Sequence, residues 1–334
     1  MTFLTFRVIF TAVLIALAAG PLGFWVGHEL KLVDVPGSAP HKLHQAPMPL
    51  VGGIIILVTL LATSLIQGML ISPAIWPLVL PAMIVFLFGI WDDVRGISAT
   101  WKLTGQVLAV LLLIILGTQV RLFSQQWLNW GITVIWMVGV TNAYNFVDSM
   151  DGLATGLAGL AAAFFMLVTF DADQMELSLL SAALMGACAG FYFYTAAPAR
   201  SFLGDSGAQM LGFLLAALAI AYNPVGFLRL QSWFIPILLT GVPIFDTTLV
   251  VVSRFRRRQP IYRSGRDHLY HRLVALGLDS NRAVLTMHLA ALLLGCLAFI
   301  ALELPPLVAN WVFAMVLASG VGVMYYLDSK KRWS

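Results

Sequence analysis

Four acidic and amide residues recur at every third position in one apolar stretch of the sequence. They are Asn142, Asn145, Asp148 and Asp151, and Gly152 follows them. A carboxylate within hydrocarbon costs roughly 2.5–3.5 kcal/mol on insertion scales, so this segment must reach a membrane surface or line a polar cavity. On a continuous helix the four side chains would spread over about half of the circumference. A satisfied polar network between helices is the alternative, but ionisable groups in such segments are usually functional.

Further carboxylates stand at the borders of other apolar stretches. Asp92 and Asp93 directly follow one stretch, and Asp205 lies between Gly204 and Gly207 just before another. Adjacent carboxylates repel each other, and a metal ion or a basic substrate network would offset that repulsion. A helix that starts at Asp205 also supplies free N–H groups for an anion. The plainer alternatives are a turn for the acid pair and a helix N-cap for Asp205.

Basic residues that can neutralise phosphates occupy nearby segments. The candidates are Lys42 and His44 in the segment 27–49, Lys102 after the acid pair, and Arg266, His268, His271 and Arg272 in the segment 254–283. Basic loops beside a membrane also arise as topology signals or as contacts with anionic headgroups. Zinc at the two histidines of the last segment would lack a nearby cysteine or third histidine.

Together these residue types describe a site for phosphate chemistry. A few oxygen ligands from the protein, with substrate phosphates completing the shell, are typical of Mg²⁺, and Mn²⁺ is an alternative. The basic side chains would bind those phosphates. The site therefore predicts phosphoryl transfer between a soluble nucleotide-linked donor and a lipid phosphate, and the residues alone name neither substrate.

Membrane helices must position these groups. Hydrophobic residues make up 60% of the 334 residues and charged residues 10%, against about 45–50% and 25% in a soluble domain. We therefore expect an all-α polytopic integral membrane protein. Apolar stretches long enough to cross about 30 Å of hydrocarbon predict about eleven transmembrane helices. They cover residues 4–26, 50–71, 75–91, 103–120, 127–146, 152–170, 177–196, 208–223, 231–253, 284–303 and 307–327.

The distribution of Lys and Arg predicts how these helices are oriented. With the N-terminus outside and the C-terminus cytoplasmic, all Lys and Arg residues except Arg7, Arg121 and Arg229 fall on the cytoplasmic side, in line with the positive-inside rule. The positive net charge therefore marks topology and not nucleic-acid binding. Cleavage of the first apolar stretch as a signal peptide is the alternative, and it would leave one span fewer.

In this orientation the chain is a single transmembrane domain, residues 1–334, with its polar clusters on one face. The cytoplasmic loops that carry them cover about residues 27–49, 92–102, 142–152, 197–207 and 254–283.

Several motifs follow one another between about residues 31 and 285. They are Val33-Asp34-Val35-Pro36 with Lys42, His44 and Gly52-Gly53, then Asp92-Asp93, the segment Asn142 to Gly152, Phe202-Leu203-Gly204-Asp205-Ser206-Gly207, Val242-Pro243-Ile244-Phe245-Asp246, and His268-Leu269-Tyr270-His271-Arg272-Leu273. In these motifs the chain resembles the polyprenyl-phosphate N-acetylhexosamine-1-phosphate transferase family. The resemblance implies a ten- or eleven-helix enzyme of the bacterial inner (plasma) membrane. It would transfer sugar 1-phosphate from a UDP-sugar to undecaprenyl phosphate and release UMP.

The last motif, followed by Leu276-Gly277-Leu278, looks more like the UDP-N-acetylglucosamine transferases that start O-antigen, teichoic acid or capsule synthesis. The muramoyl-pentapeptide branch and other UDP-N-acetylhexosamine donors are the alternatives. Gly96, Thr195 and Tyr270 depart from the pattern usual in the family, which leaves sugar specificity as the most open point.

The resemblance also implies roles for the individual residues. Asp92, Asp93 and Asp205 would be the catalytic residues. Asp205 and Asn145 would hold Mg²⁺ on the donor pyrophosphate. Asp92 and Asp93 would lie where the lipid phosphate enters, and Asp92 would position that phosphate or remove its proton. The remaining candidates would bind substrate, with Lys42, His44, Lys102, Arg266, His268, His271 and Arg272 on phosphates, Asp148 and Asp151 on hydroxyls, and Asn142 beside them.

A transporter for a lipid-linked sugar is the alternative of another class, because intramembrane Asp and Asn also mark ion-coupled sites. A transporter would place polar groups at the bilayer midplane with access from both faces. The sequence leaves the oligomeric state open, with a homodimer as one option.

Overall fold

The computed structural model describes residues 3–34, 47–69, 72–224, 232–260, 265 and 267–329. Within these residues nearly all regular structure is helical. The helices are α1 Phe3–Glu29, α2 Gly52–Ile66, α3 Trp76–Arg95, α4 Ala99–Ile115, α5 Gln126–Val147, α6 Leu153–Asp171, α7 Met175–Thr195, α8 Gly204–Ala221, α9 Ile235–Leu239, α10 Gly241–Arg256, α11 Leu269–Ala275, α12 Ser280–Leu302 and α13 Pro306–Ser329.

Seven of the described helices are long and apolar enough to cross a membrane, namely α1, α3, α6, α7, α8, α12 and α13. The prediction of an all-α polytopic membrane protein is confirmed at this level. Helices α2 and α4 are apolar but have only 15 and 17 residues. The count of eleven crossings and the orientation therefore stay predictions.

Helix α8 lies at the centre of the bundle and packs against both α3 and α5. In α8, 83% of the most apolar 18-residue stretch is buried within the protein, against 11% in α13. Helix α1 packs on α2 and α7, and α6 packs on α7 and α12. The residues that begin α8 are therefore enclosed by protein, whereas α13 is left to face lipid.

The predicted span 231–253 is interrupted in the structure. Helix α9 ends at Leu239, and α10 begins at Gly241. Pro243 lies in the first turn of α10 and has no backbone N–H for a bond to the preceding turn. The chain therefore restarts a helix here, and α10 carries the buried side chain of Asp246.

A small pair of strands anchors the first predicted loop. Strands β1 (Val33–Asp34) and β2 (Met48–Pro49) are antiparallel, with Val33 opposite Pro49. The chain after β2 then bonds to the segment before α8, because Phe202 donates its N–H to the carbonyl of Pro49 at 2.9 Å and Gly52 donates to the carbonyl of Phe202 at 3.1 Å. The base of the first loop therefore lies beside the start of α8.

Candidate active site

Two carboxylates from different helices share one lysine. Asp92 lies in the last turn of α3, Lys102 in the first turn of α4, and Asp205 in the first turn of α8. The Lys102 ammonium contacts Asp92 Oδ2 and lies 3.3 Å from Asp205 Oδ1. The other oxygen of Asp92 accepts the backbone N–H of Ile97 at 2.7 Å. The structure thus joins three of the predicted residues, and Lys102 meets carboxylates where a phosphate contact was expected.

Asp93 points from the same helix turn to the start of α8. Its two oxygens accept the backbone N–H groups of Asp205 at 2.8 Å and Ser206 at 3.1 Å. These are the N–H groups that the sequence predicted to be open to an anion, and that expectation is wrong because Asp93 already caps them. Asp93 therefore fixes where α8 begins, next to the Asp205 carboxylate.

Two glycines permit this close approach of α3 and α8. A Cβ on Gly89 would lie 2.4 Å from the Cα of Ser206, so no side chain fits there. Gly204 has φ +75°, a left-handed backbone conformation that suits glycine. A Cβ at this position would also lie 2.8 Å from Asp93 Oδ2. The acid motif therefore includes glycines because backbone and carboxylate nearly touch.

The Asn142-to-Asp151 segment does not form one continuous helix. Helix α5 ends at Val147, Asp148 takes the C-cap position, and α6 begins after Gly152, whose φ is +72°. The spread that a continuous helix would give therefore does not apply to Asp148 and Asp151. The Asn145 amide lies within hydrogen-bonding reach of the Asp205 carboxylate, which brings α5 to the same cluster.

Asp148 faces the carboxylates of α3 and α8 from the end of α5. Burial, followed by the charges of Asp205 and Asp93, raises the pKa of Asp148 to about 8. The raised pKa favours the protonated carboxyl, which can donate as well as accept a hydrogen bond. Asp151 turns elsewhere, since its Oδ2 accepts the backbone N–H of Ala199 at 3.1 Å and ties the turn to the segment before α8.

His268 lies beside the end of α5. Its ring lies 6.4 Å from the ring of Phe146, between centroids, at the end of α5. Asp246 on α10 holds it, with Oδ2 2.8 Å from His268 Nδ1 and Oδ1 accepting the Leu269 N–H at 2.5 Å. Because Nδ1 is engaged, Nε2 is the ring nitrogen left to contact a ligand.

Asp246 is a residue beside the candidate site that the sequence reasoning left without a role. Its side chain is fully buried and holds the His268 ring. Carboxylates orient histidines in this way in many active sites. Asp246 ends the motif that begins at Val242, so the sequence did mark its position. Its partner, however, lies 22 residues away along the chain.

Two other predicted phosphate ligands have protein partners. Arg272 is fully buried, donates from Nε to the carbonyl of Asp267 at 2.9 Å, and has NH1 3.5 Å from Asp328 Oδ1. His271 Nε2 lies 2.5 Å from the Tyr270 hydroxyl. A phosphate contact by Arg272 would require the guanidinium to leave this buried pairing.

The remaining predictions fall outside the cluster or outside the described residues. Asn142 lies one helical turn deeper than Asn145 and bonds to Gln106 at 2.8 Å. Lys42, His44 and Arg266 lie outside the described residues. The described base of the first loop reaches the start of α8, which is the neighbourhood that Lys42 and His44 would need.

The oxygen donors at this point suit a hard cation. The carboxylate of Asp205 and the amide of Asn145 lie together, with Asp92 beside them across Lys102. Within the described part of the chain, no three His, Cys, Asp or Glu side chains are arranged as a preformed metal site. Few protein ligands of oxygen type fit Mg²⁺, which keeps waters and substrate phosphates in its shell.

Aromatic residues flank the cluster. Trp91 and Trp101 lie on either side of the α3–α4 turn, and their rings lie 5.8 Å apart, with both side chains substantially exposed. Exposed tryptophans of this kind are enriched at membrane–water interfaces. The cluster itself lies at one end of the helices, because Asp92, Lys102 and Asp205 all belong to terminal turns.

Comparison with known proteins gives a consistent result. Residues 75–223 match the model of "Glycosyl transferase family 4". The chain is 31% identical over 289 residues to a "Probable undecaprenyl-phosphate N-acetylglucosaminyl 1-phosphate transferase" of Bacillus subtilis, covering 83% of this chain and 79% of that protein.

More distant relatives include both branches considered above. The chain is 27% identical to a "Decaprenyl-phosphate N-acetylglucosaminephosphotransferase" of Mycobacterium leprae, over 83% of this chain and 78% of the relative. It is also 27% identical to a "Phospho-N-acetylmuramoyl-pentapeptide-transferase" of Halalkalibacterium halodurans, over 77% of this chain and 85% of the relative.

Proposed function

Because the chain belongs to glycosyl transferase family 4, we propose that it transfers N-acetylglucosamine 1-phosphate from UDP-N-acetylglucosamine to undecaprenyl phosphate. The observation that carries this proposal is the Asp92–Lys102–Asp205 cluster at one end of the helices. The products are UMP and a lipid-linked pyrophosphoryl sugar. This product would initiate a cell-envelope glycan such as O-antigen or teichoic acid.

The donor side of the site is built from α5 and α8. Asp205 and Asn145 would hold Mg²⁺, or Mn²⁺, which neutralises charge on the donor pyrophosphate when bound. Asp148, at the end of α5, would bind a hydroxyl of the nucleotide sugar. His268, held by Asp246, would present Nε2 to a donor phosphate, and Lys42, His44, Arg266 and His271 are proposed to add positive charge.

The acceptor side is built from the α3–α4 turn. Lys102 would hold the lipid phosphate, and Asp92 keeps the lysine ammonium in place. The second pKa of a phosphate monoester is near 6, so most acceptor is already a dianion at pH 7. Positioning and electrostatics should therefore contribute more than proton removal by Asp92.

The reaction exchanges one pyrophosphate linkage for another. An oxygen of the lipid phosphate attacks the sugar-bearing phosphorus of the donor, the bridging P–O bond breaks, and UMP leaves with the bridging oxygen. No net bond type is gained or lost, so we expect the reaction to be reversible. The site would face the cytoplasm, where the basic loops lie in the proposed orientation.

A label-transfer assay tests the proposal directly. Purified protein, undecaprenyl phosphate and radiolabelled UDP-N-acetylglucosamine are combined with Mg²⁺ or with EDTA, and lipid-phase label and UMP are measured together. Equal amounts of labelled lipid and UMP, formed only with Mg²⁺, are the expected result. Transfer from a different UDP-sugar would change the donor and keep the mechanism. If no label were transferred from any UDP-N-acetylhexosamine or from UDP-linked muramoyl pentapeptide, the proposed function would be overturned.

A further inference from the structure

Three amide side chains meet one helical turn deeper in the bundle than Asp205. Gln106 on α4 donates from Nε2 to Gln209 Oε1 of α8 at 2.9 Å and lies 3.3 Å from Asn142 Oδ1 of α5. It also accepts from Asn142 Nδ2 at 2.8 Å. Gln106 and Gln209 are 2% and 1% exposed. We name this group the amide layer, and Gln106 is its hub because it contacts both of the others.

The amide layer repeats the register of the reactive groups on all three helices. Its members lie three or four residues from a reactive group of the same helix, in the pairs Gln106 and Lys102, Asn142 and Asn145, and Gln209 and Asp205. Residues three or four apart share one face of a helix. Each amide is therefore stacked beneath the group that reaches the substrate.

The amide layer adds directional contacts to a close backbone contact. A Cβ on Gly212 of α8 would lie 2.9 Å from the Cα of Thr141 and from the Cβ of Tyr144 on α5, so these two helices already pack closely there. Hydrogen bonds lose strength quickly when distance or angle changes. Through Gln106 the amide layer adds such bonds from α4 to both α5 and α8. It can therefore fix the rotation of α4 relative to this closely packed pair.

We propose that the amide layer is a positioning device, and that Gln106 is a positioning residue for the transfer reaction. It sets the rotation and spacing of α4, α5 and α8 so that Lys102, Asn145 and Asp205 face one point. This proposal rests on the proposed function for its readout. Stability alone is a weak reason for the layer, because interhelical hydrogen bonds in membranes contribute little to folding.

Isosteric replacement tests the proposal. Gln106→Met and Gln209→Met keep side-chain volume and remove the hydrogen bonds, and the double variant is made as well. Thr133→Val is the matched control, because Thr133 is buried at the far end of α5, donates to the carbonyl of Asn129 at 2.7 Å and accepts the Val120 N–H at 2.9 Å. For each protein, kcat, the KM for UDP-N-acetylglucosamine and the thermal midpoint in detergent are measured.

We expect Gln106→Met to lower kcat roughly 10- to 100-fold, because displacements of about 1 Å in an active site have such effects. The KM should change less than about threefold, since uniform substrate binding is not removed. The thermal midpoint should fall no further than in Thr133→Val, which should keep wild-type kcat. The double variant should be no slower than the slower single one, because the amides act as a unit.

Several outcomes would overturn the proposal. One is a Gln106→Met kcat within about twofold of wild type, another is a loss confined to KM, and a third is an equal kcat loss in Thr133→Val. If Gln106→Met is not recovered folded, Gln106→Asn replaces it, because it keeps an amide too short to reach both partners.

The failure of the proposed function would look different. In that case the wild type itself would transfer nothing from any UDP-sugar. The thermal midpoints of the two single variants and the double variant would still test the layer, and strictly additive losses would show that Gln106 and Gln209 are not coupled.

Discussion

The two charged junctions of this molecule differ in whether each charged side chain contacts a side chain of opposite charge. The acid junction, formed by Asp92, Asp93, Lys102 and Asp205 where α3, α4 and α8 meet, has more carboxylates than cations among the described residues. In the arginine junction, where α10, α11 and α13 meet, each buried arginine contacts a carboxylate. Its members are Ser253, Arg254, Arg256, Arg257, Asp267, Arg272 and Asp328.

In the arginine junction four arginines share two carboxylates, and each arginine contacts one of them. Arg254 holds Asp267 with two bonds of 2.8 and 2.6 Å, and although burial alone would raise the pKa of Asp267, Arg254 lowers it below its usual range. Asp328 accepts from Ser253 and Arg256, each at 2.6 Å. Ion pairs of this kind hold elements together, whereas neighbouring carboxylates that share one lysine repel each other and favour a cationic ligand.

The largest effect should follow from removing the shared carboxylate of the acid junction. Asp205→Asn should lower kcat roughly 10³-fold or more, because a charged group acting on the reacting phosphates is lost. The thermal midpoint should change little, since Lys102 keeps Asp92 as a partner. The label-transfer assay measures this, with exposed Asp173→Asn at the opposite end as the control. Mg²⁺-dependent turnover close to the wild-type value would remove Asp205 from the mechanism.

Asp92→Asn should lower kcat roughly 10²-fold, because Lys102 loses the partner that holds its ammonium. The rate should not recover between about pH 7 and pH 9, where the acceptor phosphate is already a dianion. A pH–rate profile of the variant against wild type checks this. Recovery at high pH would instead show that Asp92 removes a proton during the reaction.

A smaller loss of activity is expected when the contact between Asp246 and His268 is removed. Asp246→Asn should lower kcat/KM roughly 10-fold, because His268 loses the carboxylate that fixes its tautomer and orientation. His268→Gln should lose at least as much, and the double variant should be no slower than His268→Gln. Steady-state kinetics of the three proteins test the coupling, with Thr248→Val on the exposed face of α10 as the control. If the losses in kcat/KM were additive, Asp246 would not act through His268.

The smallest effect on activity should come from the arginine junction. Asp328→Asn should destabilise the protein by about 1–3 kcal/mol, since buried arginine contacts are lost, while kcat/KM at low temperature stays within about threefold of wild type. Thermal unfolding in detergent and the transfer assay measure both. Asp279→Asn, at an exposed helix cap, should change neither. A large catalytic loss in Asp328→Asn would make the two junctions functionally alike.

Much of the architecture followed from local signals. The apolar stretches predicted where helices occur, and the acid motifs lie at the helix ends that the structure brings together, as for Asp92 and Asp205. Helix bounds were less accurate, because Asp92 and Asp93 still belong to the last turn of α3. A polar residue can complete a helix turn at a membrane surface. The apolar stretch of the sequence therefore ends before the helix does.

What the sequence did not reveal depends on distant partners. Arg272 was predicted to bind phosphate, but its carboxylate partner is 56 residues away. Gln106 and Gln209 were overlooked, although each follows a predicted site residue by one helical turn, and their contact joins positions 103 residues apart. Tertiary packing decides which basic or amide groups remain available to a ligand, and packing of this kind has no local signature.

The join between the first loop and the start of α8 has a consequence for biogenesis. Ser201 donates its hydroxyl to the carbonyl of Pro49 at 2.9 Å, across 152 positions of the chain. During synthesis from the N-terminus, residues 49 and 50 can therefore bond to the segment before α8 only after that segment has been made. Likewise, α1 can pack against α7 only after α7 has been made. The first hairpin of helices enters the bilayer long before its partners exist. Until α7 and α8 are inserted, α1 has α2 as a neighbour, but the contacts of α1 and α2 with α7, and of α2 with α8, are still missing.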